Sequence, residues 1–427
     1  MSHVTLFVTY MIIQRPLYLR KLINSRHNGM IKVVTGLRRC GKSFLLFTLY
    51  TEWLKTQGVD ESHIIHVDLE DRRNEALRHP DALLAYIDQR IVDKAMYYVM
   101  VDEVQLVDEF EDVLNSYLKI KNVDVYATGS NARFLSKDIV TSFRGRSFEI
   151  RVYPLSFSEF LPASGLAKAE AFDEYRTYGG MPQILYIPDR EGKMEYLSGL
   201  YAETYIRDIR ERYNIKSEED MDDLLNILSS DIGSLTNPTK LSNSFKSIKH
   251  VDISRTTICR YLEYICDSFL VEKSLRYDVK GKKFLDTPYK FYYTDLGLRN
   301  VRLNFRQMDH SHIMENIIYN ELRIRGFNVD VGVVPVVVRE SDGKQVRRSY
   351  EIDFVCNKGS EQFYIQSAYR MIDEEKIRQE EASLRNVRDS FRKIIVVAEN
   401  IIPYKNDMGI TTIGLYDFLL DPNSLLI

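Results

Sequence analysis

The sequence predicts an α/β fold: a parallel sheet over residues 1–165, followed by a helical stretch and two smaller domains. Three observations carry the prediction for the sheet. The stretch Gly36-Leu37-Arg38-Arg39-Cys40-Gly41-Lys42-Ser43 meets G-x-x-x-x-G-K-[ST] at every fixed position. The apolar run 97–101 ends in Asp102-Glu103, about sixty residues further on. A second such run, 123–127, leads into Thr128-Gly129-Ser130-Asn131. Short apolar runs that end in polar residues suit parallel strands buried on both faces.

Taken in order, residues 30–35 are apolar with one Lys and read as a strand, and residues 44–50 read as a helix. Between them lies a P-loop. Its glycines let the backbone wrap a phosphate, and the following helix start aims N–H groups and positive dipole at it. Lys42 would reach the β- and γ-phosphates of ATP, and the Ser43 hydroxyl would ligate Mg²⁺. Gly36, Arg38, Arg39, Cys40, Gly41 and Phe44 complete the expected nucleotide-binding set. Asp102, at a buried strand end, suits the second Mg²⁺ ligand. Glu103 is placed to polarise the attacking water. At the third strand tip, Ser130 and Asn131 read equally as contacts to the γ-phosphate or water and as a helix cap.

With these motifs the chain resembles the prokaryotic AAA-class ATPases that carry a C-terminal domain of unknown function with a nuclease-like core. Phe143-Arg144-Gly145-Arg146, Tyr153-Pro154-Leu155-Ser156-Phe157-Ser158-Glu159-Phe160, Tyr178-Gly179-Gly180-Met181-Pro182 and Tyr292-Tyr293-Thr294-Asp295-Leu296-Gly297-Leu298 also carry the resemblance, which runs from about Gln14. It implies an AAA-type sheet with a helical lid over 166–216. It implies Ser130 or Asn131 as the sensor. It implies Arg146 or Arg144 as the arginine that completes the site, in cis or from a neighbouring subunit of a homo-oligomer. Read locally, the two arginines also fit a surface cluster around Glu149.

At 44% apolar and 28% charged residues the composition is that of a soluble globular protein, and no apolar run is long enough to span a bilayer, so no membrane partner is expected. Residues 1–13 lack a basic lead-in and a cleavage site, and translation is expected to begin at Met11, leaving 1–10 as an upstream extension. The four cysteines, at 40, 259, 266 and 356, form no metal-spaced pairs, which fits a cytoplasmic protein. Cys40 lies inside the loop, so thiol alkylation is expected to block nucleotide binding.

Residues 217–306 read as three short helices (221–231, 239–247, 255–270) and a hairpin (271–277 and 284–294), the order of a winged helix. Residues 240–306 hold 14 basic and 7 acidic side chains in a chain of net charge −3. That asymmetry makes Arg255, Arg260, Lys280, Lys282 and Lys283 candidate contacts to duplex DNA. The same elements also suit docking against a protein partner.

Residues 307–427 give a helix (312–325), strands (329–338, 350–356, 362–366), a charged helix (373–391) and a strand (393–398). This order resembles restriction-endonuclease-like cores. Glu315 and Asp353 match two of their metal-ligand positions. Gln366 and Ala368 stand where an acid and a Lys are expected, and Lys358 and Lys376 are candidates to reach in as the substitute Lys. A hard-cation site short of a carboxylate binds weakly. The domain therefore reads as a degenerate nuclease-like scaffold.

The function expected from these readings is a Mg²⁺-dependent ATPase with nucleotide-gated DNA binding. The alternatives are a nucleotide-switched docking module with slow hydrolysis, and an ATP-regulated nuclease.

Overall fold

The computed structural model describes residues 12–129, 143, 145–206, 209–210, 213, 215, 217–306, 309–339, 345–371 and 374–426. The chain forms two compact units, residues 1–155 with 159–171, and residues 156–158 with 172–427. Most of the stretch expected as a lid on the sheet, 166–216, therefore groups with the second unit.

Among the described residues the first unit is built on five strands: β1 (Ile31–Gly36), β2 (Ile64–Asp68), β3 (Tyr97–Asp102), β4 (Val123–Thr128) and β5 (Ser147–Val152). They pair in the order β2-β3-β4-β1-β5, all parallel. Every residue of β1 and β3 is buried, as the continuous apolar runs require. The Lys in the first run is the exception that needs a partner. Lys32 is fully buried, ion-paired with Asp124 on β4, and donates to the Met30 carbonyl at 2.8 Å. Asp124 also accepts from the Tyr126 hydroxyl at 2.7 Å and the His27 N–H at 3.1 Å. A charge in a core strand is tolerable only with such pairing.

Among its described residues the second unit carries eight strands: β6 (Val271–Asp278), β7 (Lys283–Tyr293), β8 (Asn328–Arg339), β9 (Gln345–Lys358), β10 (Glu361–Ala368), β11 (Arg392–Val397), β12 (Tyr404–Lys405) and β13 (Ile410–Gly414). Their order is β12-β13-β11-β10-β9-β8-β6-β7. The hairpin expected to be the wing of a separate domain thus belongs to the C-terminal sheet. β6 runs parallel to β8, with Arg276 opposite Val331 and Asp278 opposite Val333. The ladder crosses the expected boundary at residue 306, because pairing partners distant in sequence leave no local signal.

Helix His310–Ile324 brings Asn316 and Asn320 against the hairpin. Asp309 caps it by accepting from the Ser311 and His312 N–H groups. Asn316 accepts from the Tyr293 N–H at 2.9 Å and donates to its carbonyl at 2.7 Å, and Asn320 donates to the same carbonyl at 3.0 Å. Two asparagines one turn apart therefore satisfy the backbone of Tyr293 at the free edge of β7, as burial of a sheet edge requires.

The motifs around Gly179 and Asp295 meet within this unit. The Asp295 carboxylate is buried and accepts from the Gly180 N–H at 2.8 Å and the Leu298 N–H at 3.1 Å. Gly179 has φ +77°, and a Cβ there would stand 2.2 Å from Asp295 Oδ1. Burial pushes the Asp295 carboxyl up to about 6, against those N–H donors.

Candidate functional site

The P-loop follows β1 and opens the helix that begins at Lys42. Gly36 (φ +136°) must lack a side chain, since a Cβ would lie 2.0 Å from the Val152 carbonyl oxygen of β5. Gly41 (φ +98°) turns the chain into the helix. The Lys42 ammonium is buried and donates to the Gly36 and Leu37 carbonyls, each at 3.2 Å. Arg38 pairs with Glu70 at 2.7 Å near the surface, while Arg39 and Phe44 are exposed beside the loop.

The Cys40 thiol faces inward, fully buried and 3.5 Å from the Val152 carbonyl oxygen. Burial pushes its pKa up, outweighing Lys42 and Arg15. The expectation of alkylation at Cys40 is therefore corrected: a buried neutral thiol is a poor nucleophile.

Asp102 and Glu103 close β3 beside the loop. The β3–β4 register pairs Val101 with Ala127, which sets Asp102 next to Thr128. The Thr128 hydroxyl donates to Asp102 Oδ1, and the Glu103 N–H donates to Thr128 Oγ1 at 3.0 Å. Ser43 also hydrogen-bonds the Asp102 carboxylate. Burial pushes Asp102 up to about 6, opposed by the bonds from Thr128 and Ser43. Glu103 takes a left-handed backbone (φ 50°), which turns it off the strand line, and Gln105 donates to its Oε2. The loop, Lys42, Ser43, Asp102 and Glu103 thus come together at one end of the sheet. Thr128 was missed, although a hydroxyl at the end of the strand next to the Asp102 strand is a readable signal.

A second missed residue is Arg15. Its side chain, 3% exposed, donates to the Cys40 carbonyl at 3.0 Å, the Tyr153 carbonyl at 2.7 Å and Glu159 Oε1 at 3.0 Å. It also lies over the Tyr18 ring. It ties the loop to Tyr153 and Glu159, which explains part of the motif running from Tyr153 to Phe160.

Ser130, Asn131 and Arg144 lie outside the described residues. Arg146 is exposed and immediately precedes β5, whose register pairs Ser147 with Ile31 and Val152 with Gly36. At about 3.3 Å per residue it sits roughly 20 Å from the loop end of the sheet. Its expected role in cis is therefore corrected: in a parallel sheet the residue that enters a strand lies opposite the end that holds the P-loop.

In the second unit, Arg255 and Arg260 are exposed on helix Arg255–Asp267, capped by Ser254, and Lys282 and Lys283 are exposed at the hairpin. Lys280 is exposed but donates to the Pro335 carbonyl at 2.7 Å. Glu315 and Asp353 come together, joined by Glu351 and by Lys290 of β7. Lys358 and Lys376 are engaged elsewhere, with the Arg325 carbonyl and Glu380. The Gln366 amide oxygen faces the Asp353 N–H at 3.4 Å.

Among the described residues no helix is long and apolar enough to cross a membrane. Comparison with known proteins matches an AAA domain to residues 28–161 and a domain of unknown function (DUF8612) to residues 169–309. A Haemophilus influenzae protein named "Uncharacterized protein" is 31% identical over 415 residues, covering 96% of this chain and 99% of its own length. A Methanocaldococcus jannaschii protein of like designation is 31% identical over 401 residues, covering 91% of this chain and 85% of its own. Among solved structures, Aeropyrum pernix ORC1 in complex with DNA is 13% identical, with 70% of this chain and 95% of that one covered and a TM-score of 0.29. Aeropyrum pernix ORC2, solved as ADPNP-ADP complexes, is 11% identical, with 67% and 91% covered and a TM-score of 0.34. At those scores the two structures carry no argument, and the assignment rests on the domain match and the two relatives. The chain belongs to the family of these two relatives, P-loop proteins of the AAA class with a C-terminal domain of unknown function.

Proposed function

We propose that the protein is a Mg²⁺-dependent ATPase that cleaves ATP to ADP and phosphate. The supporting observation is the convergence of Lys42, Ser43, Asp102, Glu103 and Thr128 at one end of the parallel sheet. The donor set fits a hard cation: a hydroxyl and a carboxylate already in contact, the carboxylate buried. Bound there, Mg²⁺ would neutralise charge on the β- and γ-phosphates. The loop N–H groups and the start of the following helix receive the phosphates. Lys42, held by two loop carbonyls, exchanges them for phosphate oxygens. Ser43 and Asp102 would hold the cation. Glu103 orients the attacking water and takes its proton, while Thr128 fixes the Asp102 carboxylate and the Glu103 backbone so that the two acids keep separate roles. An arginine at the γ-phosphate would come from a neighbouring copy, and Arg146 is the exposed candidate. Four free cysteines suit a reducing cytoplasm.

We further propose duplex DNA as a regulator. A polar groove lined by Asn237, Lys240, Asn243, Ser247 and Arg255 opens beside the exposed end of helix Arg255–Asp267. A mostly polar lining of cations, amides and hydroxyls around Pro238 favours a phosphate backbone over an apolar protein surface. Steady-state phosphate release is measured with and without duplex DNA for wild type and Arg255→Glu/Arg260→Glu. Stimulation by DNA that the variant loses supports the reading. A DNA-independent rate favours the nucleotide-switched docking module instead.

A further inference from the structure

Three carboxylates of the second unit close on a single point. Lys290 Nζ lies 2.8 Å from Glu315 Oε1, 2.8 Å from Glu351 Oε1 and 3.7 Å from Asp353 Oδ1. Glu351 and Asp353 are two residues apart on β9, so they share a face. Glu315 comes from helix His310–Ile324 and Lys290 from β7. A nuclease-like reading of this unit would put a divalent ion among such carboxylates.

The residues do not fit that ion. The point on which the acids converge is held by the Lys290 ammonium, whose side chain is 4% exposed. Other oxygens are also engaged. The Tyr292 hydroxyl donates to Glu315 Oε1 at 2.7 Å, and the Ser367 N–H donates to Asp353 Oδ2 at 2.8 Å. Gln366 brings no charge and turns its amide oxygen to the Asp353 backbone, and Ala368 packs in an apolar cluster. Among the described residues no group of three or more His, Cys, Asp and Glu is arranged to hold a metal ion.

We propose that Lys290 is the resident cation of this site, a covalently tethered ammonium in the place of a divalent metal. It joins the β6–β7 hairpin to β9 and to helix His310–Ile324 without any metal. The three acids hold Lys290 charged in spite of its burial. The arrangement also explains a Lys in the buried end of β7, where the pattern of neighbours is apolar and aromatic.

Manganese is the probe, on full-length nucleotide-free protein. Binding is read from loss of the free-ion EPR signal, and stability from thermal unfolding with and without Mn²⁺. Lys290→Ala should unfold at lower temperature than wild type and take up about one additional equivalent of Mn²⁺, at least ~10-fold tighter than wild type binds any at this site. Mn²⁺ should restore part of the lost stability. Lys290→Ala/Glu315→Gln should lose that gain while leaving any background binding at the phosphate loop intact. If Lys290→Ala does not fold alone, it is refolded with and without Mn²⁺, and recovery that needs Mn²⁺ is the same result. Failure of Lys290→Ala to gain Mn²⁺, or failure of Mn²⁺ to rescue an unfolded variant, overturns the proposal. So does Mn²⁺ binding by wild type that Asp353→Asn abolishes, because the cluster would then be a metal site beside Lys290.

Discussion

Replacing Arg15 with Met tests how the phosphate loop is held. The guanidinium makes three hydrogen bonds, to Glu159, the Cys40 carbonyl and the Tyr153 carbonyl, and is almost fully buried. Met keeps the bulk and removes the charge. Breaking a buried ion pair from one side costs about 3–5 kcal/mol, since Glu159 is left buried without its partner. The two carbonyls lose a charged donor, and the first anchors the loop itself. At about 2–4 °C per kcal/mol for a unit of this size, the first unit should melt roughly 6–20 °C lower. Glu159→Gln in the Arg15→Met background should recover part of the loss, because it removes the uncompensated charge. Thermal unfolding and equilibrium binding of a fluorescent ATP analogue read the two consequences. A melting shift under about 2 °C together with unchanged nucleotide affinity would refute the idea that Arg15 holds the loop.

Other outcomes follow from the same reasoning. Lys32→Met leaves Asp124 buried and unpaired and should cost about 3–5 kcal/mol in urea unfolding, whereas a loss below about 1 kcal/mol would deny the pair a structural role. Gly179→Ala must place a Cβ against the Asp295 carboxylate in a left-handed backbone. It should cost about 3 kcal/mol, and wild-type stability would show that the two motifs are not locked together. The Asp295 carboxyl, at about 6 when folded, binds its proton more tightly folded than unfolded. Its contribution is therefore greatest in acid and falls by roughly 3 kcal/mol as pH rises from about 4 to about 6, then stays level. The difference in unfolding free energy between wild type and Asp295→Asn should change with that sign over that window, and a pH-independent difference contradicts it.

The phosphate loop and the Asp102 strand were legible because each sits on a short run of mainly apolar residues, broken in the first only by Lys32, that asks for burial on both faces. What could not be read depends on register. That Arg146 enters β5 at the far end from the loop follows only from pairing Ser147 with Ile31. Thr128 meets Asp102 only because β3 and β4 are neighbours in a given alignment. Lys290 was passed over for the same reason, since nothing local in β7 tells that the hairpin joins the C-terminal sheet and delivers an ammonium to Glu315. Arg15 gave only a lone cation before Pro16, and its three partners lie 25 to 144 residues away.

The central claim is tested most directly by comparing wild type with Glu103→Gln for both ATP binding and phosphate release in Mg²⁺. Glu103→Gln keeps the size and removes the base, so nucleotide affinity should stay within about threefold while turnover drops at least ~100-fold. Wild-type turnover that Glu103→Gln leaves unchanged, or a wild-type chain that releases phosphate no faster than Lys42→Ala, would contradict the assignment of this site to ATP hydrolysis.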